Sequence, residues 1–297
     1  MDVTIVVSTR DRGGLIVPAV QSLLRDQACD WEVVLVDQSA TEDTRIALDR
    51  CGALAHPRLV YLPSQSAGVC RGRNEGLRVA GGEIVAITDD DCIVPPGWAA
   101  EHHARFRALP EAALVYAPVV APPGHRNGWV PEFLPLREGP VRPSPDVIRS
   151  IGLTSNCALR RSALPDVGFL DERLGPGAVF GGGDDTDFGY RAVRAGLGVY
   201  TFDSPAVTHH ALPGARGQYV KGLVAMCMKH VRCGDVAMLR PMFSELRKWL
   251  GQAAGNALRG RRPSGLRPAF GVLQGAFGSF RYRVDRKRRL YRPWFAP

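Results

Sequence analysis

The stretch Glu83-Ile84-Val85-Ala86-Ile87-Thr88-Asp89-Asp90-Asp91 decides the fold. An apolar, β-branched run that ends abruptly in three carboxylates reads as a buried strand opening onto a polar site. Upstream, Val3-Thr4-Ile5-Val6-Val7, Glu32-Val33-Val34-Leu35-Val36 and Leu59-Val60-Tyr61-Leu62 are runs of the same kind. Helical apolar spacing from Val17 to Leu24 and from Asn74 to Val79 falls between strands. The alternation is that of β-α-β units, so the first ~90 residues read as the nucleotide-binding half of a parallel α/β sheet. In such sheets ligands gather at the carboxyl ends of the strands, where Asp37 and the Asp89-Asp90-Asp91 triplet both fall.

Three packed carboxylates repel one another, and a divalent cation relieves that conflict. Hard oxygen ligands suit Mg²⁺ or Mn²⁺, commonly shared with the oxygens of a diphosphate. An acidic turn in water explains the triplet equally well. The second acidic cluster, Gly183-Asp184-Asp185-Thr186-Asp187, opens a helical pattern that runs through Tyr190 to Ala195. Its acids suit a helix dipole, and one of them placed near a leaving group is able to act as general base. His209-His210 follow a short apolar run, so a strand end would carry an imidazole back towards the acids. Arg71, Arg73 and Asn74 read as preceding a helix, where a guanidinium and free amides hold phosphate oxygens. From about 117 to 145 the chain is Pro-rich, which predicts a surface excursion that covers or shapes a site.

Charge divides the chain. Residues 216–297 carry 18 Lys+Arg against 3 Asp+Glu, a balance of +15, whereas residues 1–215, with 20 and 26, balance at −6. We therefore expect a catalytic domain over 1–215, with halves at about 1–92 and 93–215, and a basic amphipathic helical extension over 216–297. In the extension, Met242, Phe243, Leu246, Trp249 and Leu250 form one stripe and Leu266, Phe270, Leu273, Phe277 and Phe280 another. Two readings stand for it: Trp249, Phe243 and Leu250 facing lipid with Arg247, Lys248, Arg261 and Arg262 on anionic headgroups, or the stripes packed on the catalytic domain or a second subunit. The seven cysteines show no CxxC pair, which argues against a zinc site or a disulfide framework. Met1-Asp2-Val3 leads directly into the first apolar run without the features of a signal peptide, and no apolar run is long enough to span a bilayer. The expected place is the cytoplasm, with a peripheral position on the inner face of the membrane.

As a set, these residues resemble family 2 glycosyltransferases of the GT-A fold, mostly inverting, DXD-containing enzymes that use nucleotide-diphospho-sugars. The resemblance covers roughly residues 2–211 and rests on Val6 to Arg12, Val36-Asp37-Gln38-Ser39, Gly68 to Gly76, Thr88-Asp89-Asp90-Asp91, and Gly183 to Arg191. It implies an α/β, Rossmann-like mixed sheet flanked by helices. Carried over position by position, it implies Asp37 at the nucleobase, Arg73 at the diphosphate, and Thr9, Arg12, Asp89 and Asp90 on the donor side. Asp89, Asp91 and His209 would hold Mn²⁺ or Mg²⁺, Asp185 would be the base, and Asp184 and Asn156 would stand on the acceptor side. Asp11, Gln38, Cys92 and Asp184 depart from the residues frequent at those positions.

The activity implied is transfer of a hexosyl or deoxyhexosyl group from a UDP- or dTDP-sugar to a hydroxyl of a glycan, a lipid-linked molecule or a small molecule. A nucleotidyltransferase is the rival enzyme, weakened because Gly13-Gly14 is followed by apolar residues with no nearby Lys. A non-catalytic adaptor acting through the basic segment leaves the clustered acids unexplained. A homo-oligomer remains open, and nucleic acid is not expected as a partner.

Overall fold

The computed structural model describes residues 1–25, 28–125, 130–144, 146–210 and 219–294. The four apolar runs are strands: β1 (Val3–Thr9), β2 (Trp31–Asp37), β3 (Leu59–Pro63) and β4 (Ile84–Asp89). They lie parallel in the order β3-β2-β1-β4, joined through α1 (Val17–Leu23), α2 (Asp43–Arg50) and α3 (Val69–Val79). Register aligns their carboxyl ends, pairing Thr9 with Asp37 and Ser8 with Asp89. Two glycines let α3 press onto the sheet. A Cβ on Gly76 would come 2.5 Å from a Val6 methyl, and one on Gly72 would come 2.7 Å from Ser8 Cβ.

Beyond β4 the chain makes β5 (Cys92–Ile93), α4 (Trp98–Ala108), β6 (Ala112–Tyr116), β7 (Val119–Val120), β8 (Gly139–Pro140), β9 (Cys157–Arg160) and α5 (Leu164–Val167). Then come α6 (Asp184–Arg194), β10 (Gly198–Thr201) and β11 (Val207–His209). β9 inserts antiparallel between β4 and β6, making an eight-stranded mixed sheet in the order β3-β2-β1-β4-β9-β6-β10-β8. A second sheet, β5-β11-β7, sets His209 opposite Cys92. Alternation along β4 sends Val85 and Ile87 to one core and Ile84 and Ala86 to the other, so the sheet is covered on both faces.

The C-terminal part forms α7 (Val220–Arg232), α8 (Leu239–Leu258), α9 (Leu266–Gly278) and a hairpin of β12 (Arg283–Asp285) and β13 (Leu290–Arg292). Val224, Met226, Met242, Trp249, Val272 and Tyr291 join the core that also holds Val85, Ile87 and Phe188. Part of the first stripe therefore packs inward. Trp249 is buried and is not available to lipid, contrary to one reading of the sequence, while Phe243 and Leu250 stay exposed. The second stripe is exposed along its whole length. The expected boundary at 215–216 lies outside the described residues, as does Ala211, the last residue of the resemblance. Among the described residues no helix is long and apolar enough to cross a membrane.

Candidate active site

A cleft of about 820 Å³ opens at the carboxyl ends of β1 and β4. Ser8, Thr9 and Arg12 line it from β1 and the turn that follows, and Asp89, Asp90 and Asp91 from the end of β4 and the turn after it. Asp184 and Asp185 reach it from the first turn of α6 and His209 from the end of β11. Residues far apart in sequence thus share one concave surface, as ligand sites do at such sheet edges.

Arginines neutralise the acids. Arg12 Nε lies 3.1 Å from both carboxylate oxygens of Asp90, and its Nη2 lies 2.8 Å from Asp91. Arg73, buried, donates to Asp89 and lies 3.2 Å from Asp184 Oδ2. Burial still governs two of these carboxyls. It pushes Asp90 up to about 6 against the pull of Arg12. Asp184 rises to about 7 through burial and the charge of Asp185, against the pull of Arg73.

His209 Nε2 lies 3.1 Å from Asp91 Oδ1, and its Nδ1 faces the Pro131 carbonyl at 3.3 Å. That second contact orients the ring. Burial opposes the imidazolium, but the hydrogen bond to Asp91 and the charges of Asp89 and Asp91 hold its pKa above the ordinary value. His210 is exposed, and only its backbone N–H reaches the Asp91 carbonyl, at 2.8 Å. Ligand atoms of Asp89, Asp91, Cys92 and His209 lie within 4.8 Å of one another. Two carboxylates and an imidazole fit a hard divalent cation; burial keeps the Cys92 thiol protonated, a poor ligand for one.

Asp185 is half-buried at the cleft, and Thr154 grips its Oδ1 with both the backbone N–H, at 3.0 Å, and the hydroxyl. Oδ2 carries no hydrogen bond among the described residues. Asp187, on the same helix, turns away into the core. Lys229 Nζ lies 2.7 Å from it, with His230 Nε2 and Arg191 Nε each at 2.9 Å. Burial would raise this carboxyl, but Lys229, Arg191 and His230 together hold it well below the usual range.

A sequence profile described as glycosyl transferase family 2 matches residues 4–168, more than half of the chain. The chain is a family 2 glycosyltransferase.

Similar proteins include WcaA of Escherichia coli (strain K12), named for colanic acid biosynthesis glycosyl transfer, at 29% identity over 116 residues. Another is the O-antigen biosynthesis protein RfbC of Myxococcus xanthus, at 29% over 197 residues. These alignments cover 39% and 65% of this chain, which spans only 41% and 14% of the two relatives. Among solved structures, the glycosyltransferase resembles the mannosyltransferase PcManGT of Pyrobaculum calidifontis in complex with GDP-Man and Mn²⁺. The TM-score is 0.60 at 18% identity, covering 94% of this chain and 86% of that one. It also resembles S. aureus TarS 1–349 in complex with UDP-GlcNAc, with a TM-score of 0.57 at 17% identity, covering 77% and 65%. At such identities the likeness shows the fold, and that fold is the expected GT-A.

Two readings of the glycosyltransferase sequence need correction. Arg71, Arg73 and Asn74 lie inside α3, so their amides are not free at a helix start. Asn74 Nδ2 instead donates to the Leu170 carbonyl at 3.0 Å, and Arg71 Nε lies 3.4 Å from Glu172. Asn156 does not reach the cleft: fully buried, it accepts from Trp98 Nε1 at 3.0 Å and donates to the carbonyls of Pro118 and Pro205. Asp37 stands at the strand end beside the cleft-lining Gln38, and its carboxylate takes the Ser39 N–H at 2.9 Å and the Tyr61 hydroxyl at 2.7 Å.

The structure adds residues that the sequence reading did not name as a site: Gln38, Ser155, and Glu245, Lys248 and Trp249 of α8 all line the cleft. Among the described residues, Ser155 Oγ is buried without a hydrogen-bond partner. Ser155 belongs to a polar run, Thr154-Ser155-Asn156, that could have marked it in the sequence. The Pro-rich excursion reaches the cleft through Pro131 and Glu132; its residues 126–129 and Pro145 lie outside the described residues.

Proposed function

We propose that this family 2 glycosyltransferase inverts configuration in a single displacement, with Asp185 as general base. The observation that carries the reading is the opening of Asp185 and the Asp89-Asp91-His209 cluster onto one cleft. Asp185 takes the acceptor hydroxyl proton as the acceptor oxygen bonds to the anomeric carbon and the bond to the diphosphate oxygen breaks. Thr154, holding one oxygen of Asp185, keeps the carboxylate aimed. Asp89, Asp91 and His209 would hold Mn²⁺ or Mg²⁺, which supplies charge neutralisation for the leaving diphosphate. Arg12 and Arg73, the counter-charges of these acids, are placed to hold phosphate oxygens once a cation takes over the carboxylates.

The donor is a nucleotide-diphospho-sugar, with uridine or thymidine as the proposed base. The acceptor is a hydroxyl on a growing surface polysaccharide or its lipid-linked precursor. The names of WcaA and RfbC support that process, and seven free cysteines, four of them buried, support a reducing compartment such as the cytoplasm.

The test is calorimetric titration of UDP, dTDP, GDP and CDP with and without Mn²⁺ on wild type, Asp91→Ala and Asp185→Asn. Metal-dependent binding of one nucleotide, lost in Asp91→Ala and kept in Asp185→Asn, supports the reading. Once that nucleotide has named the donor, Asp185→Asn should lower turnover by about 10²–10⁴-fold. Absence of nucleotide binding under every metal condition, or release of pyrophosphate in place of nucleoside diphosphate, would overturn it.

A further inference from the structure

Helix α9 is built inside out. The face it turns to α7 is made of small residues: Ala269, Val272 and Gly275 are buried, and a Cβ on Gly275 would lie 2.4 Å from the Lys221 carbonyl oxygen. The opposite face carries Leu266, Phe270, Leu273 and Phe277, at spacings of four, three and four residues, and all four are exposed, Phe270 by 59% and Phe277 by 71%. Phe280 extends the row, and Phe243, Leu250 and Leu258 stand exposed on α8. A soluble helix buries its large apolar side chains; one that is apolar on both faces has a second apolar neighbour.

Charge identifies that neighbour. Residues 246–284 contain eight Lys+Arg and no Asp or Glu. Arg259, Arg261 and Arg262 are exposed in the turn between α8 and α9, and Arg267, Arg281 and Arg283 are exposed beside the apolar row. An apolar row fringed only by cations matches the boundary between acyl chains and anionic headgroups. A second copy of this face would instead bring like charges together.

We propose that the α8–α9 hairpin docks on an anionic membrane surface, with Leu266, Phe270, Leu273 and Phe277 in the acyl boundary and the arginines on headgroups. The placement has a catalytic consequence, which rests on the function proposed above. Helix α8 also lines the cleft through Glu245, Lys248 and Trp249, so docking sets the cleft beside the bilayer, where a lipid-linked acceptor would present its hydroxyl.

The experiment is sedimentation of the full chain with vesicles of phosphatidylcholine alone or mixed with phosphatidylglycerol, at low and high salt. Wild type should sediment with the anionic vesicles and be released by salt. The variant F270S/F277S, altered only at exposed positions, should lower partition on the order of tenfold or more, and R261E/R262E should remove the preference for phosphatidylglycerol. Wild type remaining in the supernatant, or F270S/F277S sedimenting like wild type, would overturn the proposal. So would lipid-free self-association that F270S/F277S abolishes, which would make the face a contact between copies. Nucleotide titration of the same variants separates the two readings: unchanged affinity alongside lost sedimentation assigns the loss to docking, and wild type that binds vesicles but no nucleotide leaves docking standing while the catalytic reading falls.

Discussion

Gly222 of α7 lies so close to Gly182, at the entrance to the base-bearing helix α6, that a methyl group added to Gly222 would sit 2.2 Å from the Gly182 carbonyl oxygen. The neighbouring Gly183, at φ +81°, would place a Cβ 2.6 Å from the Gly222 carbonyl oxygen. This crossing fixes where Asp185 enters the cleft. Gly222→Ala must therefore push the Gly182-Gly183 turn away and move Asp185 off its line. The expected result is kcat lowered about 10- to 100-fold with nucleotide affinity nearly unchanged, read by steady-state kinetics beside calorimetry. Equal losses in both would mean that the turn shapes the whole cleft.

The two adjacent histidines should behave differently. His209→Ala removes the ring that meets Asp91, whereas His210→Ala leaves intact the backbone N–H that bonds the Asp91 carbonyl. Metal-dependent nucleotide affinity should drop by about tenfold or more in the first and hold in the second. Titration with UDP and Mn²⁺ compares them directly, and a matching drop in both would remove His209 from the proposed ligand set.

Asp184 predicts a pH dependence of stability. Its folded pKa, about 7, lies above the ordinary value of 3.8, so the folded state holds this proton more tightly than the unfolded chain. Its contribution is fully present below about pH 4 and is lost as pH rises through about 7, at no more than about 1.4 kcal/mol per pH unit. Asp90, also raised, acts in the same sense. Urea unfolding of wild type and Asp184→Asn at several pH values isolates the term. The difference between the two should shift steadily between about pH 4 and pH 7 in favour of the variant, and a constant difference would count against it.

Lys229 ties the C-terminal part to the catalytic half. Fully buried, its ammonium lies 2.6 Å from Asp171 and 2.7 Å from Asp187, and Asp171 also takes the Tyr291 N–H at 2.9 Å. Lys229→Met leaves two buried carboxylates short of a cation, with Arg191 and His230 remaining only for Asp187. Such a loss costs about 3–5 kcal/mol, visible as a lowered urea midpoint. A midpoint equal to that of wild type would show that the site relaxes by protonating an acid.

The strands β1 to β4 and the acidic edge were legible because each depends on local pattern. Apolar β-branched runs end at their polar residues within about two residues of the strand ends found. The helix α2 was not read, since Asp43–Arg50 is mostly polar and buries only Thr44 and Leu48. The strand β9 was missed for a related reason: Cys-Ala-Leu-Arg has no β-branched residue, and only its place between β4 and β6 makes it extended. Asn156 and Asp37 are polar residues in suggestive positions whose partners, Trp98 and Tyr61, lie far along the chain.

What the sequence by itself determined is the set of chemical groups and the edge on which most of them stand: an apolar run that ends in carboxylates places Asp89 at the end of β4, and the charge split marks the C-terminal part as basic. Only the tertiary structure decided which groups meet. The pairing of β11 with β5 brings His209 to Asp91, Thr154 reaches Asp185 from the turn before β9, and the glycine crossing of α7 sets α6. It also decided that the first C-terminal stripe is divided between core and surface, whereas the second is surface throughout. Periodicity marks an apolar face, but small residues on the other side of α9 pack more closely on α7 than aromatic rings would, and so turn the large side chains outward.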